Sequence, residues 1–159
     1  GVERYRPIYV HAKVAVIDDT WSTLGSGNLN NRGMRDDTEM NVATLDPELA
    51  QGLRLMLIAE HLNLFDEDKL NAVARHLAHQ SQSPAAEQQA IATWNSLQKQ
   101  LGNPLIALGM MVERANENLR RFKARQPLVG HLLPYMTAEE ARREGLQFIE
   151  DVGWIETPS

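Results

Sequence analysis

The sequence contains no cysteine among its 159 residues. This absence excludes disulfide bridges, thiolate metal sites and a cysteine nucleophile. Long apolar runs are missing as well: none approaches the roughly 18 residues of a membrane-spanning helix. The first residues, GVERYRPIYVHAK, lack the apolar core of a signal peptide. Because the chain enters a predicted strand at once, we expect it to be a piece of a longer protein.

An excess of positive charge is also missing. The sequence contains 16 Lys and Arg residues and 21 Asp and Glu residues, which gives a net charge of −5. A protein that coats DNA by itself is usually basic, so this class is disfavoured, although a locally basic pocket remains allowed. The chain is 43% hydrophobic and 23% charged, which is typical of a folded domain with a core.

The first 45 residues are predicted to be rich in β-structure. Residues 8–17, IYVHAKVAVI, form a nearly continuous apolar run, which is typical of a strand buried on both faces of an α/β sheet. The predicted elements that follow are a turn at 18–20, a returning strand at 21–26, a polar loop at 28–37 and a third strand at 39–45.

From Asp46 onward the pattern is helical. Asp46-Pro47, Ser83-Pro84 and the pair Thr137 and Glu140 are signals for helix starts. The predicted helices cover 46–64, 66–79, 84–101 and 104–123, with a short last helix after 137. Ile91, Trp94, Leu97 and Leu101 form one apolar stripe, which predicts packing against the core. The fold class is therefore α/β.

The candidate site begins with His11 and Lys13. Residues two apart on a strand point to the same face, and an imidazole beside an ammonium in an apolar strand calls for a shared anionic partner. A phosphate fits, since Lys13 would neutralise its oxygens while His11 attacks or protonates it. Ser26 and Asn28, after the glycine turn at Gly25, would donate hydrogen bonds to the phosphoryl oxygens.

Two carboxylates have supporting roles in this interpretation. Glu39, at the start of the third predicted strand, would accept a hydrogen bond from the far nitrogen of His11 and fix its tautomer. Asp18 lies outside the His11–Lys13 pair and is expected to brace the turn.

The pattern His-x-Lys-x4-Asp-x6-Gly-Ser-x-Asn, spanning His11 to Asn28, resembles the HKD motif of the phospholipase D superfamily. The flanking Tyr9-Val10 and the segments 28–32 and 39–42 also resemble that family, most closely bacterial phospholipase D-like and cardiolipin synthase-like proteins. The resemblance covers residues 8 to about 60, and it implies a mixed β-sheet flanked by helices. It assigns residues 1–65 to part of a catalytic half-domain and residues 66–159 to a helical C-terminal region.

The resemblance implies hydrolysis or transphosphatidylation of phospholipids through a phosphohistidine. His11, Lys13 and Asp18 are then the catalytic motif residues, Lys13, Ser26 and Asn28 hold the phosphate, and no metal or cofactor takes part. Such sites combine two motifs, and this chain contains one. The expected partner is therefore a missing N-terminal half with a second motif, or a second copy of the chain.

Other functional interpretations stay open. The chain is alternatively a phosphodiesterase or nuclease that acts as a homodimer, or a non-catalytic half-domain. Phospholipid is favoured over nucleic acid as the substrate because the net charge is negative. Its expected location is the cytoplasm or the membrane periphery, and secretion stays open because the true N-terminus is expected to be absent.

Further polar clusters have ordinary structural explanations. His76 and His79, three residues apart, are expected on a solvated helix face rather than in a metal site. Trp94 is expected to pack in the core. The cluster Arg120, Arg121, Lys123 and Arg125 is expected to complement a helix dipole, with lipid headgroup contact as the alternative.

Overall fold

The computed structural model describes residues 11–149 and 153–156, and these fall into two compact units. The larger unit is Ala12–Leu133, and the smaller one contains His11 and the described chain from Pro134 onward. Residues 8–10 of the first predicted strand lie outside the described residues.

The larger unit contains a three-stranded antiparallel sheet. Its strands are β1 (Lys13–Ile17), β2 (Trp21–Gly25) and β3 (Asn41–Thr44), with β2 in the centre. Lys13 pairs with Gly25, and Gly25 pairs in turn with Asn41. The α/β fold class is confirmed, and the predicted returning and third strands are present.

Two aspartates form the turn between β1 and β2. Asp18 and Asp19 both have positive φ, at 53° and 49°, a conformation that Asp tolerates better than most residues. The amide of Thr20 donates to the carbonyl of Ile17 at 3.0 Å and closes the turn. The predicted turn is therefore confirmed.

The prediction that the first strand is buried on both faces was wrong. Val14, Leu24 and Val42 lie in register across the sheet, and their exposed fractions run from 41% to 65%. An apolar run indicates burial only when another layer covers the face. Among the described residues, no layer of structure buries Val14, Leu24 and Val42.

Five helices belong to the larger unit. They are α1 (Asn31–Arg35), α2 (Pro47–Leu62), α3 (Glu67–Leu77), α4 (Pro84–Leu101) and α5 (Pro104–Lys123). Asp46 and Ser83 accept hydrogen bonds from the first turns of α2 and α4, as predicted. Helix α1 was not predicted, since residues 28–37 were assigned to a loop. No helix within the described residues is long and apolar enough to span a bilayer.

The core lies among α2, α3, α4 and the start of α5. Its buried members are Leu55, Ala59, Leu62, Leu70, Val73, Trp94, Leu97, Leu101 and Ala107. The core role of Trp94 is confirmed. Ile91 was wrongly placed in the same stripe, because it is 42% exposed. Ala90 faces the core instead. Ile91 follows it and is rotated by about 100° around the helix axis, which turns its side chain away from the core.

Segment 127–133 is fixed to the helices by a buried asparagine. Asn118 of α5 is fully buried; its Nδ2 donates to the carbonyls of Val129 and Leu132, both at 2.8 Å. Gly130 has φ of 68°, and a Cβ there would lie 2.1 Å from the carbonyl oxygen of His61. The segment therefore needs glycine at this position for its close approach to α2.

One ion pair connects the sheet to two helices. Arg54 of α2 binds Asp19 in bidentate fashion, with Nε–Oδ1 at 2.6 Å and Nη2–Oδ2 at 2.7 Å. The same guanidinium donates to the carbonyls of Leu101 and Gly102 at 3.0 and 3.2 Å. It thereby fixes the β1–β2 turn to α2 and to the end of α4.

The smaller unit contains helix α6 (Ala138–Arg143), with the predicted capping box of Thr137 and Glu140. Strands β4 (Leu146–Ile149) and β5 (Gly153–Glu156) pair in antiparallel orientation. This strand pair was not predicted, since no strand was assigned after residue 45.

Replacing Arg54 with methionine tests the ion pair. Arg54→Met leaves Asp19 and two helix-end carbonyls without their donor, so we expect the free energy of unfolding to fall by about 2–3 kcal/mol. Arg120→Met is the matched control, because Arg120 pairs with Glu117 at an exposed site; it should cost less than about 1 kcal/mol. Equal losses in urea denaturation would contradict the assigned role of Arg54.

The same pair predicts a pH dependence of stability. Hydrogen bonding from Arg54 lowers the pKa of Asp19 below its usual 3.8, against a smaller opposing effect of burial. A carboxyl group whose pKa is lower in the folded state than in the unfolded state stabilises the fold at pH values above its unfolded-state pKa. That contribution is lost as the pH falls through the folded-state pKa. The stability difference between wild type and Asp19→Asn should therefore shrink below about pH 4. A pH-independent difference would contradict this origin.

Candidate functional site

The predicted phosphate-binding residues of the larger unit lie at one end of the sheet. Lys13 is the first residue of β1 and pairs directly with Gly25, the last residue of β2. The chain then continues into Ser26 and Asn28 from this same end. Gly25, which pairs with Lys13 on the central strand, carries no side chain.

Asp18 lies at the other end of β1. It follows Ile17 in the turn, so roughly 16 Å of strand separates it from Lys13. Its carbonyl accepts a hydrogen bond from the hydroxyl of Thr20 at 3.0 Å. The structure does not bring Asp18 together with Lys13. The carboxylate that braces this region through its side chain is the neighbouring Asp19, which the sequence analysis missed.

Gly25 is required by a close approach of β3. A Cβ at this position would lie 2.2 Å from the carbonyl oxygen of Met40 and 2.4 Å from Oδ1 of Asn41. Real Cβ atoms do not approach oxygen so closely, so any other residue would displace the strand. The motif glycine is thus explained by packing within the sheet.

The Ser26 side chain extends the pairing between β2 and β3. Its hydroxyl accepts from the amide of Met40 at 3.0 Å, and its own amide donates to the Met40 carbonyl at 3.0 Å. The hydroxyl also contacts that carbonyl at 3.4 Å. Ser26 therefore holds the loop in place here, and its contact with phosphate stays a prediction.

Asn41 fixes the loop from the other strand. Its side-chain oxygen accepts from the amide of Gly27 at 2.9 Å. This contact holds the backbone between Ser26 and Asn28. The sequence analysis included Asn41 only in a segment that flanks the motif, because a hydrogen bond to a residue 14 positions away leaves no local signal in the sequence.

Helix α1 packs closely against the backbone of Asn28. A Cβ at Gly33, in α1, would lie 2.7 Å from the carbonyl oxygen of Asn28 and 3.2 Å from its Cβ. Asn30 caps α1 by accepting from the Gly33 amide at 2.7 Å, and its own amide donates to the Asn28 carbonyl at 2.8 Å. The local signal that could have predicted α1 is the N-cap Asn30. It was missed because it lies in a stretch rich in residues that are typical of loops.

His11 and Glu39 belong to different compact units. The His11 side chain is exposed. Glu39 is half-buried and lies in the loop before β3, because the strand begins at Asn41 rather than at residue 39 as predicted. Their predicted hydrogen bond stays a prediction.

The other polar clusters have structural partners. His76 lies 2.5 Å from Glu87 through Nδ1, and it is half-buried rather than on a solvated face, whereas His79 is exposed. Among residues 11–149 and 153–156, no three His, Asp or Glu side chains are arranged to hold a metal ion. Arg120, Arg121 and Lys123 occupy the last turn of α5, where they complement the helix dipole.

Two glycine substitutions test the packing of the site. Gly25→Ala should lower the free energy of unfolding by about 1–3 kcal/mol, because its Cβ would overlap Met40 and Asn41. Gly109→Ala is the control: a Cβ there meets nothing within 4 Å, and alanine should stabilise α5 by about 0.5–1 kcal/mol. Thermal unfolding in which Gly25→Ala matches wild type would contradict the close approach.

Residues 1–58 match a family model described as cardiolipin synthase, PLD-like domain. Cardiolipin synthase A of Pseudomonas putida strain W619 is 39% identical over 57 residues, which are 36% of this chain and 12% of that protein. A phospholipase D of Phytophthora infestans is 33% identical over 85 residues, covering 43% of this chain and 5% of that protein.

The family match covers residues 1–58, and each curated relative is matched over a small part of its own length. Cardiolipin synthase A of Pseudomonas aeruginosa strain LESB58 is 38% identical over 71 residues, 14% of its length. The chain thus matches about an eighth of the length of the curated cardiolipin synthases. No solved structure matches it significantly. Over residues 1–58, the chain is similar to the phospholipase D superfamily.

Proposed function

We propose that this chain supplies one half of a phosphoryl-transfer site that acts on phospholipids by hydrolysis or transphosphatidylation. The observation that carries the proposal is the placement of Lys13 and residues 25–28 at one end of the β1–β2 pair. His11 enters the proposal from the motif spacing and from the family match over residues 1–58.

The proposed chemistry uses two histidines, one of which is His11. The imidazole nitrogen of one histidine forms a bond to phosphorus while the bond from phosphorus to the leaving alcohol breaks. The other histidine donates a proton to that alcohol. Water or a second alcohol then attacks phosphorus, gives up its proton to the second histidine and releases the first.

Lys13 and Asn28 supply the electrostatic part of this mechanism. The Lys13 ammonium neutralises charge on the non-bridging oxygens, and the Asn28 amide donates a hydrogen bond to them. Asn41 and Gly33 keep the Asn28 loop in one position through the contacts described above. A preorganised donor is effective because it needs no rearrangement when charge develops in the transition state.

The second motif must come from another polypeptide segment. We propose a further half-domain or a second copy of this chain as its source. Phospholipid is the favoured substrate class because the relatives are named as cardiolipin synthases and a phospholipase D. The net charge of −5 argues in the same direction, against nucleic acid.

Activity across size-exclusion fractions tests the proposal. With a chromogenic phosphodiester and with phosphatidylglycerol, we expect activity to co-elute with a dimer and to fall by about 10²–10⁴-fold in His11→Ala. His79→Asn is the matched control, because His79 is exposed and has a positive φ of 52° that asparagine tolerates.

The outcomes separate the candidate functions. Dimer activity that survives in His11→Ala contradicts the proposed role of His11. Activity on single-stranded DNA but not on phosphatidylglycerol would identify a nuclease instead. A folded chain that is inactive in every fraction would show that two copies do not complete the site and would favour a half-domain that is non-catalytic alone.

A further inference from the structure

A cleft of about 480 Å³ lies between α2 and α3. Its apolar lining comes from Leu53, Met56 and Leu57 of α2, from Phe65 in the connection between the two helices, and from Leu70 of α3. These five side chains are buried or half-buried, so they form the inner part of the cleft. Volumes of this size are typical of sites for small molecules. We name this site the α2–α3 cleft.

Three carboxylates line the same cleft. Glu60 belongs to α2, and Asp66 and Glu67 lie where α3 begins. All three are exposed, so they surround the mouth of the cleft. Asp66 is already engaged, because it accepts from the amide of Lys69 at 3.0 Å and pairs with the Lys69 ammonium. Within the part of the chain that the structure describes, Glu60 and Glu67 have no ion pair or side-chain hydrogen bond.

The position of Glu60 has no explanation within α2. Glu60 lies in the last turn of the helix, where its charge meets the negative end of the helix dipole. Glu67, by contrast, lies in the first turn of α3, where a negative charge is favourable. A cation from outside the chain would offset the unfavourable placement of Glu60.

The positive charges near the mouth do not cancel its carboxylates. His131 is the only basic side chain of the lining, and Lys69 is already paired with Asp66. Arg75 lies two turns along α3 from Glu67 and is not part of the lining. The cavity that contains Leu62 and Leu64 has two basic and two acidic residues, which balance each other: Arg114, Arg120, Glu113 and Glu117.

We propose that the α2–α3 cleft binds a small organic cation, an ammonium group that carries an alkyl or aryl body. The ammonium group lies at the mouth, near Glu60 and Glu67, and the apolar body covers the inner lining. Phe65 adds an aromatic ring, to which ammonium groups are attracted. The charge of the mouth favours a cation over an anionic or neutral ligand of the same shape.

The proposal goes beyond the proposed function and does not depend on it. The cleft contains none of the residues 11–28 that form the motif, and its ligand is measured by binding without turnover. A chain that binds the cation but cleaves no phosphodiester would support the cleft alone. A chain that cleaves a phosphodiester but binds no cation would overturn the cleft alone.

Isothermal titration calorimetry with three probes of one chain length tests the cleft: hexyltrimethylammonium, 1-hexanol and hexyl sulfate. We expect saturable binding of hexyltrimethylammonium, binding of 1-hexanol that is weaker by about tenfold, and no binding of hexyl sulfate. Butyltrimethylammonium should bind up to about 15-fold more weakly than the hexyl probe, because each buried CH₂ contributes about fourfold.

Substitutions separate the cleft from the net charge of the chain. Glu60→Gln and Glu67→Gln should each weaken binding of hexyltrimethylammonium by about two- to fivefold. Glu48→Gln is the matched control, because Glu48 is exposed on the same helix, lies outside the cleft and loses the same charge. Since Glu60→Gln removes a charge that opposes the helix dipole, its midpoint of thermal unfolding should not fall.

Three results would overturn the proposal. In the first, the folded wild-type chain binds no hexyltrimethylammonium. In the second, hexyl sulfate binds as tightly as hexyltrimethylammonium, so that the cleft selects only for apolar character. In the third, Glu48→Gln weakens binding as much as Glu60→Gln, so that the cation responds only to net charge. Circular dichroism of each variant verifies that α2 and α3 remain folded.

Discussion

The contact between Arg54 and Asp19 is the interaction on which the arrangement of the larger unit depends. One guanidinium holds the β1–β2 turn, its own helix and the carbonyl end of α4. Gln51 strengthens it from one turn away, because its Nε2 reaches Asp19 at 3.4 Å while its Oε1 accepts from Gln98 at 3.1 Å. The sheet is thereby fixed to the helical core at the end opposite to Lys13.

The opposite end of the sheet is the proposed phosphate-binding end. Its loop is held by the Gly25 approach, the Asn41 side chain and the Gly33 approach to Asn28, and none of these contacts uses Lys13. The motif therefore combines two kinds of residue. Gly25 and Ser26 shape the backbone in this structure, whereas Lys13 and Asn28 are left as the proposed groups that meet the substrate.

Local signals in the sequence predicted much of the fold. Asp46, Ser83 and the Thr137–Glu140 box place helix starts correctly because capping involves residues only two or three positions apart. The Asp19–Arg54 pair could not be predicted, since its partners are 35 positions apart. Burial of β1 was overestimated for a related reason: a strand's composition does not reveal whether another layer covers it.

The candidate site was predicted from the spacing of its polar residues. The residues that hold its loop in place were not predicted. Asn41 and Gly33 act on the loop through contacts made by the folded chain.

The central claim is that Lys13 and residues 25–28 form a phosphate-binding end of the sheet. The most direct test is a titration of the ¹⁵N-labelled chain with a soluble phosphodiester, followed by amide NMR shifts. The account predicts saturable shifts at residues 13, 25–28 and 41 that are lost in Lys13→Met. Shifts confined to the Arg120 and Arg121 region, or shifts that persist unchanged in Lys13→Met, would contradict it.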